Sequence, residues 1–209
     1  LGGGERVHDL TSTAQTAQWM VLWHRFLEPD ERLLERARRI ADALLALQEP
    51  DGSFPGYCDD RGRPLPLLAG SGHAGMAALF LCELHEHRPE KRLLDAVLKA
   101  CGFFSERIVP ESRYHDFETF FSCSWKPLDF FDRRTGQHAQ NNLCLFWIAE
   151  TFLRAAAFTG DRRLLDRGLY CLDRLSLYQQ VWNPPFLSLY TFGGFGVMFL
   201  YVGITQFIQ

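Results

Sequence analysis

The sequence has six cysteines, Cys58, Cys82, Cys101, Cys123, Cys144 and Cys171, yet no C-x-x-C pair. That absence removes the usual zinc spacing and the dithiol redox motif. A disulfide framework is not expected in a chain of 209 residues. Cys82, Cys101, Cys144 and Cys171 fall in helical patterns, where a small buried residue is the ordinary role. Positive charge is not in surplus: 22 Lys and Arg against 25 Asp and Glu leave −3, which offers no electrostatic footprint for nucleic acid. The local run Arg36, Arg38 and Arg39 suits a solvated helix face. No apolar stretch is long enough to cross a membrane; residues 198–208 are apolar and aromatic but too few. The chain opens Leu1-Gly2-Gly3-Gly4 with no Met and no apolar signal core, so as given it leans toward the cytoplasm. Disorder is excluded by 47% hydrophobic and 14% aromatic residues.

What is present is a repeat. Glu31-Arg32-Leu33-Leu34-Glu35 returns as Lys91-Arg92-Leu93-Leu94-Asp95 and as Arg162-Arg163-Leu164-Leu165-Asp166. The three arginines Arg32, Arg92 and Arg163 stand 60 and then 71 residues apart, longer than a tetratricopeptide unit. Each copy opens an amphipathic helix. Leu33, Leu34, Ala37, Ile40, Ala41, Leu44 and Leu45 share one face of the first. Leu93, Leu94, Val97, Leu98, Cys101 and Phe104 share a face of the second, and Leu164, Leu165, Gly168, Leu169, Leu172 and Leu175 of the third. A more apolar helix precedes each, over roughly 12–27, 72–87 and 139–158. The run Leu143-Cys144-Leu145-Phe146-Trp147-Ile148-Ala149 has almost no polar side, which marks a buried inner helix. The pattern predicts three pairs, each an inner helix followed by an outer one.

Links within pairs are short turns: Glu28-Pro29-Asp30, Arg88-Pro89-Glu90 and Thr159-Gly160-Asp161. Links between pairs are long, about 48–71, 105–138 and 179–196, and rich in aromatics. Ordered loops of that length usually carry function. If all short turns lie on one rim, the long loops must gather on the other.

The Arg-Leu-Leu helices, the junction Leu47-Gln48-Glu49-Pro50-Asp51-Gly52-Ser53-Phe54, Asn183-Pro184-Pro185 and Gly193-Gly194-Phe195-Gly196 resemble the α/α-toroid proteins, and among them the six-hairpin glycosidases and polysaccharide lyases. The resemblance spans nearly the whole chain and is architectural. It implies an all-α, toroid-like array of helical hairpins acting on carbohydrate. Terpene cyclases and protein prenyltransferases share the toroid and the D-G-S-F loop. The prenyltransferase zinc set has no counterpart here, the D-x-D-D motif is absent, and Asp59-Asp60 runs into Arg61-Gly62, which breaks D-D-x-x-D. No metal and no cofactor are therefore expected. A closed toroid has six pairs. Three pairs in one domain over 1–209 predict half a ring, either a fragment of a larger one or an arc that a second copy of the chain completes.

The densest polar stretch is the second long loop, from Arg113-Tyr114-His115-Asp116-Phe117-Glu118 to Gln137-His138-Ala139-Gln140-Asn141-Asn142. Glycoside hydrolysis needs one carboxylic acid to protonate the glycosidic oxygen and a second carboxylate to activate water or attack. Asp116, Glu118, Asp129 and Asp132 can supply them. A lyase needs a base and a group that neutralises a uronate, for which His138, Asn141, Asn142 and Tyr190 are suited. Trp125 and Trp182 can stack on sugar rings, and His115 can bind them. Plainer roles compete. Asp132 suits a turn, residues 138–142 suit a helix cap, and Asp51-Gly52 suits a turn. His73, His85 and His87 read as solvated helix residues, with His85 and His87 misspaced for a metal. The expected activity is a glycoside hydrolase, with a lyase second. A terpene-cyclase-like enzyme, its aromatics stabilising cations, and a helical-repeat binding scaffold are the readings from other classes.

Overall fold

The structure, a computed structural model, describes residues 6–116, 127, 130–134, 136–183, 185, 188, 190–195 and 198–199. Among the described residues, six long helices form three pairs: α1 (Leu10–Phe26) with α2 (Glu31–Leu47), α3 (Gly75–His87) with α4 (Lys91–Phe103), and α6 (Asn142–Thr159) with α7 (Arg162–Ser176). A π-helical turn, Phe104–Ile108, and the single-turn α5 (Val109–Glu111) extend α4. Helix α1 packs on α3 and α3 on α6, so one helix of each pair forms an inner row, with α2, α4 and α7 outside. This is the α/α-toroid arrangement over three hairpins.

The repeated motif sets where the outer helices begin. Asp30 and Asp161 sit at the N-caps of α2 and α7, and their carboxylates accept the amides of Arg32 and Arg163. The turn before each outer helix is pinned by the end of the inner one. His24 Nδ1 accepts the Asp30 amide at 3.0 Å, His85 Nδ1 the Glu90 amide at 3.1 Å, and the Thr159 hydroxyl the Asp161 amide at 3.2 Å. His85 is therefore a turn-pinning residue. The expectation that His85 and its neighbours merely face solvent is corrected by this geometry.

The faces turned inward by the outer helices carry small residues: Ala37 and Ala41, Ala96 and Ala100, and Gly168. A Cβ on Gly168 would lie 2.7 Å from the Leu153 side chain, so glycine lets α7 close onto α6. The middle inner helix has neighbours on both sides, and its residues 75–84 are buried without exception. The row is cross-linked by charge. Glu83 of α3 is buried and paired with Arg25 of α1 and, at 2.8 Å, with Arg154 of α6; both arginines also reach Glu86.

The Gln48 to Phe54 junction ties the first pair to the second. The Gln48 side chain donates to the carbonyls of Gly52 and Ala96 at 3.1 and 2.9 Å. Gly52 has φ +94°, and a Cβ there would collide with the Lys99 carbonyl. Two exposed regions depart from the expected pattern. Trp19, Trp23 and Phe26 stand out on α1, and Leu169 on α7 is 43% exposed although its spacing places it on the apolar face.

The between-pair segments gather where α1, α3 and α6 begin. Strands β1 (Val7–Asp9), β2 (Tyr57–Asp59) and β3 (Pro64–Leu65) form an antiparallel sheet in that order. Strand β4 (Phe131–Asp132) pairs with β5 (Gln137–His138), and β6 (Gln140–Asn141) with β7 (Met198–Phe199). A small apolar cluster of Tyr57, Leu68 and Ala139, with Phe130 against it, joins the first loop to the second. The β6–β7 ladder returns the third segment to the start of α6. The long-loop rim expected from the spacing is the rim observed. Among the described residues, no helix is long and apolar enough to cross a membrane.

Candidate active site

Two main-chain bonds assemble the rim. The Gly72 amide donates to Arg113 O at 2.7 Å, and the Asn141 amide to Tyr114 O at 2.5 Å. The segment before α3 thus meets the start of the second loop, which in turn meets the start of α6. Gly72 is required: a Cβ would lie 3.0 Å from Cys144 Cβ and 3.1 Å from Tyr114 Cα. The Gln140 side chain bonds the carbonyls of Ser112 and His138, each at 2.8 Å. These contacts hold His115, Asp116, His138, Asn141 and Asn142 together at the N-terminus of α6.

Their orientations follow from their partners. Asn141 caps α6, its Oδ1 accepting the Leu143 amide at 2.8 Å. That bond fixes the side-chain amide, so Nδ2 is the atom that donates to Asp116 Oδ2, at 2.7 Å. Asn141 thus caps the helix with one atom and holds the Asp116 carboxylate with the other. His138 Nδ1 lies 3.2 Å from the Phe130 carbonyl. A carbonyl only accepts, so Nδ1 carries the hydrogen, and Nε2 of the neutral ring holds the lone pair. The rings of His138 and His115 have centroids 5.2 Å apart, and Phe131 meets His138 edge-on at the same separation. His115 is fully buried and His138 half-buried, so His138 is the histidine nearer solvent.

Asp132 builds its turn, its Oδ1 accepting the Arg134 amide at 2.8 Å. Trp182 and Tyr190 are exposed, at 54% and 77%, and lie outside the buried cluster. Asn142 is buried in the first turn of α6. Glu118, Asp129 and Trp125 lie outside the described residues.

A second polar group on this rim went unrecognised in the sequence. His73 is buried at 4% exposure, stacked on Tyr57 with centroids 5.2 Å apart and rings inclined 22°, and faces Asp9 Oδ1 at 3.4 Å. Asp9 also caps α1 through the amides of Thr11 and Ser12. Burial raises its carboxyl, but the His73 ring and the Ser12 hydroxyl bind the charged form and carry it down to about 2. His73 was expected in solvent because it opens a helical stretch; the close approach at Gly72 draws that turn into the core. A Gly at 56, where a Cβ would meet the imidazole at 2.8 Å, was the available signal.

The described cysteines offer no nucleophile. Burial pushes the thiols of Cys101 and Cys171 up to about 12 and about 11. Cys144 is driven up by burial and then by the Asp116 charge. A protonated thiol is a poor nucleophile. The titratable groups that the cluster at the start of α6 brings together are His115, His138 and Asp116. Among the described residues, no three metal-binding side chains cluster.

No family model matches the sequence, and no curated protein is similar to it. Solved structures are similar in fold. A cellobiose 2-epimerase from Bacillus thermoamylovorans B4167 aligns at TM-score 0.57 and 14% identity, over 92% of this chain and 50% of that one. A sugar epimerase from a ruminal bacterium aligns at TM-score 0.57 and 13% identity, over 82% of this chain and 44% of that one. The chain spans about half the length of these proteins, and at such identity the likeness is one of fold.

Proposed function

We propose that this chain contributes to a carbohydrate-active enzyme in which His138 moves a proton at a sugar carbon next to a carbonyl. The observation that carries the reading is the bond from His138 Nδ1 to the Phe130 carbonyl, which leaves Nε2 as a base on the half-buried side of the pair. A base so placed can take the proton from the carbon beside the aldehyde of an opened reducing sugar. The electron pair moves into an enediolate; the imidazolium exchanges its proton with solvent, the enediolate turns about its C2–C3 bond to present the other face, and reprotonation there by the same ring inverts that carbon. His115 packs against His138 and positions it, while Asp116, held by Asn141, suits a sugar hydroxyl. Trp182 and Tyr190, exposed on the third long segment, suit stacking on a sugar ring. The two similar structures are sugar epimerases, and the fold they share with this chain accommodates that chemistry.

Glycoside hydrolysis, the activity expected from the sequence, asks for two carboxylates within about 10 Å of each other. Asp116 suits one role. Asp132 is committed to its turn through Arg134, and Glu118 and Asp129 lie outside the described residues. Histidine chemistry has the more specific support, and it also suits the lyase alternative. Incubation with a reducing disaccharide and with uronic-acid oligosaccharides, followed by chromatography, separates the readings. The 2-epimer of the disaccharide is the expected product. Free monosaccharides support the hydrolase, and unsaturated ends the lyase. No product from any glycan sinks all three.

A further inference from the structure

The turn between α1 and α2 and the turn between α3 and α4 are built alike. In each, a histidine in the last turn of the inner helix meets the backbone just before the outer one. The two contacts differ in one atom. His24 Nδ1 lies 3.0 Å from the Asp30 amide nitrogen. His85 Nδ1 lies 3.1 Å from the Glu90 amide nitrogen and also 3.1 Å from the Glu90 carbonyl oxygen. The third turn uses the Thr159 hydroxyl, which does not titrate. An amide only donates, so His24 Nδ1 holds a lone pair and the ring proton sits on Nε2. A second proton can enter only at Nδ1, where it sets two N–H groups against each other and undoes the bond to Asp30. The Asp30 carboxylate is already committed: Oδ1 takes the Arg32 amide and Nε at 2.8 and 3.2 Å, and Oδ2 takes Nη2 at 3.0 Å.

His24 is 9% exposed and has a second imidazole against it. The His87 ring of α3 meets it edge-on, with centroids 5.2 Å apart. Arg25 of α1 and Arg88 of α3 stand beside that pair. Glu31 of α2 faces His24 Nε2 at 3.9 Å, but it is 74% exposed and shared with Arg88. Burial, then the neighbouring His24, Arg88 and Arg25, pushes the His87 imidazole below its ordinary value, and its buried Nε2 has no hydrogen-bond partner. We infer that His24 and His87 form an acid-release device: neutral, they hold the first hairpin's turn closed, and protonated, they release it while the other two turns hold. The selectivity comes from one oxygen. A protonated His85 Nδ1 can donate to the Glu90 carbonyl in place of accepting the amide, whereas His24 Nδ1 has only the amide beside it among the described contacts. The sign follows from the neutral form being the one that folds. The His87 contribution is whole above its unfolded value of 6.5 and is lost as pH falls through the lower folded value. The device lies on the short-turn rim, away from the candidate active site, and involves neither His138 nor sugar chemistry.

NMR of the full chain labelled with nitrogen-15 tests this, reading the imidazole nitrogens and the exchange of single backbone amides together. At pH 8 the His24 Nδ1 should carry no hydrogen. Between pH 8 and pH 5 the Asp30 amide should lose roughly tenfold of its protection relative to the intrinsic exchange rate, the worth of about one hydrogen bond. That loss should track the titration of the His24 ring, and the Glu90 and Asp161 amides should keep their protection. His24→Asn places an amide oxygen where Nδ1 stands, an acceptor that does not titrate, so its Asp30 amide should stay protected at pH 5. A hydrogen on His24 Nδ1 at pH 8 overturns the inference. So does a wild-type Asp30 amide as well protected at pH 5 as at pH 8, or an equal loss at Asp30 and Glu90. The wild-type spectra decide by themselves if His24→Asn does not fold.

Discussion

His138 is held at Nδ1 by the Phe130 carbonyl, 3.2 Å away, while the fully buried His115 packs behind its ring. One backbone oxygen thus selects the tautomer, and one side chain closes off the rear. Replacing His138 with Gln removes the base and keeps a polar side chain of similar reach. Turnover should fall by about 10²–10⁴-fold, the usual worth of a positioned acid or base. Helical content and melting temperature should change little, because His138 is half-exposed and lies outside the helical core.

Asn141 does two tasks with two atoms, which makes them separable. Asn141→Ala loses the cap on α6 and the bond to Asp116, and should cost about 1 kcal/mol of unfolding free energy. Asn141→Asp keeps a capping oxygen but sets a second carboxylate against Asp116, where the amide now lies at 2.7 Å. Its stability deficit should therefore exceed that of the Ala variant near pH 7 and shrink as pH falls through the carboxylate range. Urea unfolding of both variants at pH 7 and pH 4 provides the check.

The fold was legible because its signal is periodic. Arg32, Arg92 and Arg163 each stand two residues after an acidic N-cap, and the Leu-Leu that follows starts the same inward face each time. The Gln48 to Phe54 junction was legible for a physical reason too: Gly52 must take a positive φ against α4, and Gln48 must reach two carbonyls. The rim was only half legible. Its polar residues were named, but the contacts between them cross from 72 to 113, from 114 to 141 and from 9 to 73, and no local period records such pairings. His73 and His85 were misplaced for that reason. Each is fixed by a partner outside its own helical pattern: Tyr57 and Asp9 for one, the Glu90 amide for the other.

Gly52→Ala should be costly, because Gly52 is buried although the turn before it is exposed. The backbone there is left-handed and the new methyl would strike the Lys99 carbonyl. A loss of at least about 2 kcal/mol is expected from strain and displacement together, read as a lowered urea midpoint with the slope unchanged.

Glu83 is a buried carboxylate that ties the three inner helices together. It is 1% exposed between Arg25 and Arg154. Glu83→Gln leaves two guanidinium groups beside an uncharged amide and should cost about 3 kcal/mol, the lower end of the range because both arginines are partly solvated and keep Glu86. For a chain of this length, that is a fall of roughly 10 °C in melting temperature by calorimetry.

Asp9 gives the rim an acid limit. Its carboxyl falls from 3.8 unfolded to about 2 folded, so the native state binds the proton less readily. The stabilisation is present above about 3.8 and is lost as pH drops through about 2. Asp9 is more than a third exposed, and screening reduces the effect to about 1 kcal/mol. Wild type should be more stable than Asp9→Asn at pH 6, and the two should converge near pH 2. A constant gap across that range would dissociate the effect from ionisation.

Proton transfer at a sugar carbon leaves an isotopic record. The chain, incubated in D₂O with a reducing disaccharide, should return sugar carrying deuterium at C2 by proton NMR, and His138→Gln should return it unlabelled. Epimer or other product formed without deuterium at C2, or label that persists in the His138→Gln variant, would contradict the account.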